Sequence, residues 1–159
     1  MTPLLMTILF SILPISELRG AIPYAVYNGF SIPLAAVIAI AANVCVPVIA
    51  FLFLESLHKL FYKIRPYRDF FDRFVERARR KVHAQVERYG YWGLMLFVAV
   101  PLPVTGAWTG TLGAWVLGLS YKKAFFAIAG GVVLAGIIIS LLVALWGVGT
   151  QTIFFKPMY

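Results

Sequence analysis

Two apolar stretches run without a charged side chain: Ile32–Leu54, 23 residues, and Ala124–Val148, 25 residues. About 20 helical residues suffice to cross the hydrocarbon core of a bilayer, so each stretch predicts a transmembrane helix. Ser31 with Pro33 just inside the first, and Ser120 ahead of the second, are helix-start signals. Asn43 and Pro47 interrupt the first stretch and Gly130, Gly131 and Gly136 the second. Such small or kink-forming residues let membrane helices approach closely.

The other two apolar stretches are broken at their middles. Pro3–Leu13 is followed by Pro14, Ser16, Glu17, Arg19 and Gly20 before apolar character resumes at Ala21–Phe30. Leu94–Val100 is followed by Pro101-Leu102-Pro103-Val104-Thr105-Gly106 and then Ala107–Leu119. At about 1.5 Å per residue each arm covers roughly half a membrane. Charge, proline and glycine at the midpoint suit a backbone that is buried in protein or lines a wet cavity, not one that faces lipid. The pattern therefore predicts two re-entrant hairpins. The alternative, two kinked full spans, places Lys122-Lys123 across the membrane from the main basic cluster; with hairpins both clusters share one side, as positive-inside bias favours.

A shift of 89 residues aligns the two halves. Leu13-Pro14 overlays Leu102-Pro103, Ser16 overlays Thr105, and Gly29-Phe30-Ser31 overlays Gly118-Leu119-Ser120, with Ala35 on Ala124 and Val44 on Val133. Under the hairpin reading the first hairpin opens to the outside and the second to the cytoplasm. The repeats are then inverted, an arrangement that places a site at the bilayer midplane in many transporters.

Between the halves, Tyr67, Phe70, Phe71, Phe74, Val75, Ala78, Val82, Val86 and Tyr89 recur at three- and four-residue steps, an amphipathic helix. Asp69 with Arg73 and Glu76 with Arg80 are spaced as i,i+4 ion pairs, Pro66 suits the first turn and Gly90 the end. Tyr91 and Trp92 follow where an aromatic belt re-enters the interface.

Composition agrees with lipid as the solvent. Of 159 residues 62% are hydrophobic and 13% charged, with net charge +8. A soluble domain carries about a quarter charged residues, and one this small leaves much of its surface in water. An ordinary soluble enzyme, a disordered tail and a disulfide-stapled secreted domain are excluded. Residues 55–88 hold ten basic and five acidic side chains, so +5 of the charge sits in one polar island. Between apolar segments such an island faces anionic headgroups on the cytoplasmic side rather than nucleic acid. The single Cys45 permits no disulfide framework. His58 and His83 lack metal-ligand spacing. Phosphate-loop and nucleophile-elbow motifs are absent, so neither an enzymatic activity nor a cofactor is expected.

Glu17 and Arg19 are the only charged side chains in the first 54 residues. An intramembrane charge is costly and usually paired, inward-facing and functional. Glu17 is therefore a candidate proton-coupling carboxylate, and Arg19 a candidate fork for an anionic group such as a lipid phosphate. A static pair satisfying backbone groups at the hairpin tip is the structural alternative. At the second tip Thr105, Trp108 and Thr109 offer hydroxyls and an indole N–H to a substrate cavity beside helix N-termini. Hydroxyls bonding their own helix's carbonyls are the plainer reading of the threonines. Pro14, Gly20, Pro23, Pro101, Pro103, Gly106 and Gly110 shape the hairpins. Trp115, Trp146, Tyr24 and Tyr27 read as packing or interface aromatics, and Asn43 as a hydrogen-bonding link across helices.

Ile15-Ser16-Glu17-Leu18-Arg19-Gly20-Ala21-Ile22-Pro23 and Pro101-Leu102-Pro103-Val104-Thr105-Gly106-Ala107-Trp108-Thr109-Gly110 resemble segments of the putative small multidrug export protein family of bacteria and archaea. That family is similar in layout to the larger DedA (VTT-domain) superfamily, which pairs two re-entrant hairpins with two membrane helices. The resemblance covers nearly the whole chain; Val104 departs from it, where a glycine is expected. It implies export, and DedA relatives are implicated in moving undecaprenyl phosphate and other lipids with acidic and arginine residues in the hairpins. Glu17 and Arg19 match that character. The second hairpin has no arginine but Thr105, Trp108, Thr109 and Thr111, so the relatives' arginine-based phosphate site carries over only in part.

These readings predict an all-α integral membrane protein of two inverted repeats, each a re-entrant helical hairpin plus a transmembrane helix, with a cytoplasmic amphipathic helix between them. As one membrane domain over 1–159, hairpin 1 spans 1–30, the first membrane helix 31–57, the basic helix 58–90, hairpin 2 91–119 and the second membrane helix 120–149. The expected function is export of a small amphiphile or lipid-linked anion across the cytoplasmic membrane of a bacterium or archaeon, coupled to protons, with membrane lipids and a second copy of the chain as partners. A DedA-like lipid flippase or scramblase, and an assembly factor acting through the basic helix, are the rivals.

Overall fold

The computed structural model describes residues 2–56, 63, 65–102 and 105–154. Among these residues the chain is all-helical: α1 Pro3–Ile12, α2 Glu17–Tyr27, α3 Ile32–Ser56, α4 Arg65–Ala99, α5 Ala107–Val116 and α6 Tyr121–Phe154. Pro103 and Val104, and the start of the basic segment with His58 and Lys59, lie outside the described residues.

The first 30 residues form a helical hairpin. Pro3 opens α1, where its missing N–H leaves no bond unmade, and the turn at 13–16, which contains Pro14, reverses the chain into α2. Phe10 packs edge-on against Tyr24 with ring centroids 5.0 Å apart. With 10 and 11 residues, each arm is only about 15 Å long, half of a hydrocarbon core of about 30 Å.

A second hairpin follows the amphipathic helix. Gly90, at φ 60 and ψ −137, breaks α4 into a polar part, 65–89, and an apolar part, 91–99. The apolar part packs against α5, and the connection at 100–106 is the second tip. The Ser120 N–H donates to the Tyr91 hydroxyl at 3.2 Å, so the chain leaves this hairpin beside the point where it entered.

The 89-residue spacing recurs in backbone hydrogen bonds. After α2, Gly29 takes φ 91 and the Phe30 N–H bonds the Ala25 carbonyl at 3.1 Å; after α5, Gly118 takes φ 65 and the Leu119 N–H bonds the Ala114 carbonyl at 2.9 Å. Both ends are glycine-terminated Schellman motifs, which need the left-handed conformation that glycine adopts at no steric cost. The next helices start alike: the Ala35 N–H bonds the Ser31 carbonyl and the Ala124 N–H bonds the Ser120 carbonyl, each at 2.9 Å.

Two helices are long and apolar enough to cross a membrane, α3 over Ile32–Ser56 and α6 over Tyr121–Trp146. Only 39% and 33% of their most apolar windows are buried within the protein, so most of that surface has lipid as its natural solvent. Both hairpins pack between and against these two helices, around a core that includes Leu18, Ile22, Val46, Leu94, Ile128 and Val132. The mid-helix Asn43 reaches the tip of the first hairpin, its Nδ2 donating to the Ser11 carbonyl at 2.5 Å.

Small residues set the closeness of this packing. A Cβ at Gly131 would press on the Met95 carbonyl and the Val98 side chain, and one at Gly113 would press on Val82. The second contact draws 65–89 against α5: Ala78 and Val82 are buried, and Phe71, Val75 and Val86 partly so. The side chains of Tyr67, Phe70 and Phe74 lie outside those described. On the polar face Glu76 and Arg80 pair at 3.0 Å.

Candidate functional site

The two hairpin tips meet and hold each other. Glu17 is the only non-glycine residue at positive φ among those described, at 46°. This is a conformation that non-glycine residues hold only where surrounding structure enforces it. It turns the carboxylate onto the start of α5. There the Trp108 N–H donates to Oε1 at 3.3 Å, and the Ala107 N–H lies close by. The residue ahead of α5 is Gly106, which supplies no capping side chain. Glu17, from the other hairpin, thus serves the first N–H groups of α5 and meets the positive end of its dipole. A Cβ at Gly106 would land on this carboxylate, and the glycine's φ of 144° is one that side-chain-bearing residues rarely adopt.

Arg19 reaches the opposite tip from the same helix. One guanidinium nitrogen donates to the Leu102 carbonyl and the other to the Thr105 carbonyl at 3.1 Å. The second hairpin reciprocates through Trp108, whose indole Nε1–H donates to the Ile12 carbonyl at 2.7 Å. Within that tip the Thr105 hydroxyl lies 2.6 Å from the Val100 carbonyl and accepts from the Leu102 N–H at 3.1 Å. Irregular backbone that no helix ladder satisfies is thereby satisfied across the two halves. Glu17 and Gly106, and Arg19 and Trp108, are each 89 residues apart, so residues at equivalent positions take part in the brace, although its hydrogen bonds run to partners 83, 86, 91 and 96 residues away.

Two spaces flank this brace. An inner cavity of about 10 Å³ is lined by Glu17, Arg19, Asn43, Pro101, Thr105 and Gly106 together with apolar side chains from α4 and α6. An outer groove of about 560 Å³ runs between α2, α6 and the second tip, lined by Pro23, Val26, Tyr27, Leu142, Val143 and Trp146, with Arg19 and Pro101 also on its wall. Tyr27 and Trp146 stand 91% and 77% exposed there. Arg19 is the one charged residue that lines either space besides Glu17, and it borders both.

Of the residues singled out from sequence, Glu17, Arg19 and Thr105 come together. Trp108 joins them through its N–H groups and is on the wall of neither space, and Thr109 is buried in α5 away from both. Arg19 spends its fork on carbonyls and makes no ion pair with Glu17 within 4.0 Å among the described residues. Gly20, against the Ser16 hydroxyl, and Gly110, against Val98, lie inside helices rather than at the tips. Pro23 lies within α2 on the groove, and Pro103 is outside the described residues. Thr111 bonds the Ala107 carbonyl of its own helix at 2.6 Å. Sequence reasoning left out the groove, whose apolar lining carries no chemical signal, and the place of Asn43 on the cavity wall, which an amide in an otherwise apolar span marks.

No curated protein and no solved structure matches the chain. Residues 17–138, from the Glu17 tip through the body of α6, match the family described as putative small multi-drug export protein. With that match covering most of its length, the chain is a membrane protein that belongs to the putative small multi-drug export protein family.

Proposed function

We propose that the protein exports small amphiphiles, coupled to protons, from a midplane site where two re-entrant hairpins enter from opposite faces and meet. The observation that carries this reading is the position of Arg19 between the groove and the cavity that holds Glu17. A lateral groove of this size suits an apolar body, and a single guanidinium at its inner end suits an anionic or strongly polar head. The half-length arms, the Ser120–Tyr91 bond at the mouth of hairpin 2 and the Ser11–Asn43 bond at the middle of α3 support tips at mid-depth.

The brace supplies the coupling. As a carboxylate, Glu17 caps α5 with full charge and holds the second tip closed. Protonation removes that charge, weakens the cap and frees the tip. Arg19, released from the Leu102 and Thr105 carbonyls, turns its fork to the cargo head. Deprotonation toward the other face re-forms the brace and expels the cargo.

Purified protein in liposomes, with a pH gradient imposed and a fluorescent anionic amphiphile as cargo, tests this. Gradient-driven movement that is lost in Glu17→Gln is expected. Movement of labelled lipid that ignores both the gradient and Glu17→Gln would replace the exporter with a scramblase.

A further inference from the structure

Asn43 has a polar atom that nothing among the described residues satisfies. Its side chain is fully buried, its Nδ2 donates to the Ser11 carbonyl at 2.5 Å, and its Oδ1 has no hydrogen-bond partner among the described residues. The Ser11 carbonyl fixes the amide's orientation, because a flipped amide would set oxygen against oxygen. An unpaired buried acceptor is rare and costly, and points to an occupant. Asn43 lines the inner cavity together with Glu17. At about 10 Å³ that cavity has room for one water-sized molecule.

The chemistry of the lining restricts what enters. Two groups of that lining, the Asn43 amide oxygen and the Glu17 carboxylate, are acceptors, so an occupant held between them has to donate to both. A metal cation would meet the Arg19 guanidinium, which also lines the cavity, and a cavity this small has no space for the several oxygen ligands such an ion takes. We infer that the cavity is a binding site for a single water molecule held between Asn43 Oδ1 and the Glu17 carboxylate. Water fits both protonation states of the carboxyl. It donates to both groups when Glu17 is ionised; when Glu17 is protonated it accepts from that carboxyl and still donates to Asn43. Asn43 is then a positioning residue, keeping a proton carrier beside Glu17. Its use in transport rests on the coupled-exporter reading above; the site itself does not.

Infrared difference spectroscopy on the full-length protein in nanodiscs, titrated in ordinary water and in H₂¹⁸O, reads the site without any transport. The protein is expected to show a weakly bonded water O–H band that shifts on ¹⁸O substitution, together with a Glu17 carboxyl band that disappears in Glu17→Gln. In Asn43→Val the water band is expected to vanish and the carboxyl band to move to higher frequency; Asn43→Ser, a smaller change that keeps an acceptor, is expected to retain a displaced water band should the valine variant not fold. A folded Asn43→Val protein with both bands unmoved overturns the assignment. So does a carboxyl band that shifts when sodium replaces N-methylglucamine in the buffer, which would make the occupant a cation. A protein that shows the water band but moves no cargo keeps the site and refutes the exporter.

Discussion

Glu17 and Gly106 hold equivalent places in the two halves of the chain, 89 residues apart, and the carboxylate of one fills the space that a side chain on the other would need. The asymmetry of the pair follows: one half supplies the charged cap, and the other supplies the bare backbone that receives it. Both residues carry positive φ, 46° at Glu17 and 144° at Gly106, so each tip leaves the common backbone regions where its second helix begins, though in a different conformation.

Gly106→Ala is therefore expected to strike twice, through a backbone conformation that alanine resists and through collision with the carboxylate. The strained conformation alone costs about 1–3 kcal/mol. Thermal unfolding in detergent should show a larger loss for Gly106→Ala than for Gly118→Ala, because Gly118 has φ 65 but open space where its Cβ would go. Equal losses would mean that the carboxylate does not occupy that space.

Arg19→Lys tests the brace from its other strand. A lysine keeps the charge but not the planar fork that spans the Leu102 and Thr105 carbonyls. Losing a hydrogen bond made by a charged donor costs about 1.5–3 kcal/mol. A lower unfolding midpoint is expected, with export reduced together with it. A lysine variant as stable and active as the natural protein would show that charge alone matters at this position.

Trp108→Phe keeps a ring in place and removes only the donor to the Ile12 carbonyl. The expected cost is about 0.5–1.5 kcal/mol, smaller than for Arg19→Lys. Because Trp108 borders neither space, cargo affinity measured by fluorescence titration should stay unchanged while stability falls.

The amphipathic helix depends on close approach and not on its surface charges. Gly113→Leu is expected to push Val82 away and expose 65–89 to proteolysis, because a Cβ at position 113 already overlaps that side chain. Glu76→Gln removes one partner of a pair whose side chains are mostly exposed, and should leave the protease pattern as it was, since exposed ion pairs add little.

Much of the fold is legible in the pattern of residues. The uncharged runs mark α3 and α6, Ser31 and Ser120 mark their starts, and Gly90 marks the break in α4, because each of these signals is local. The 89-residue overlay is legible from proline, glycine and serine alone. The partners at the site are not. Arg19 meets carbonyls 83 and 86 residues away, and a backbone carbonyl has no residue-type signature. The Trp108 indole N–H reads as free to bind cargo until Ile12 is seen to accept it. Thr109 reads as a cavity hydroxyl until α5 turns it inward. The groove is invisible in sequence because its apolar lining is indistinguishable from a lipid-facing surface.

The central claim, that both broken segments turn back within the membrane, is tested most directly by labelling single cysteines from each face of sealed vesicles with a membrane-impermeant maleimide, after replacing Cys45. Cysteines at Thr2 and Asn28 are expected to react from the outside, and cysteines at Arg80 and Ser120 from the cytoplasmic side. Thr2 and Asn28 reacting from opposite faces would make the first segment a full crossing and contradict the account.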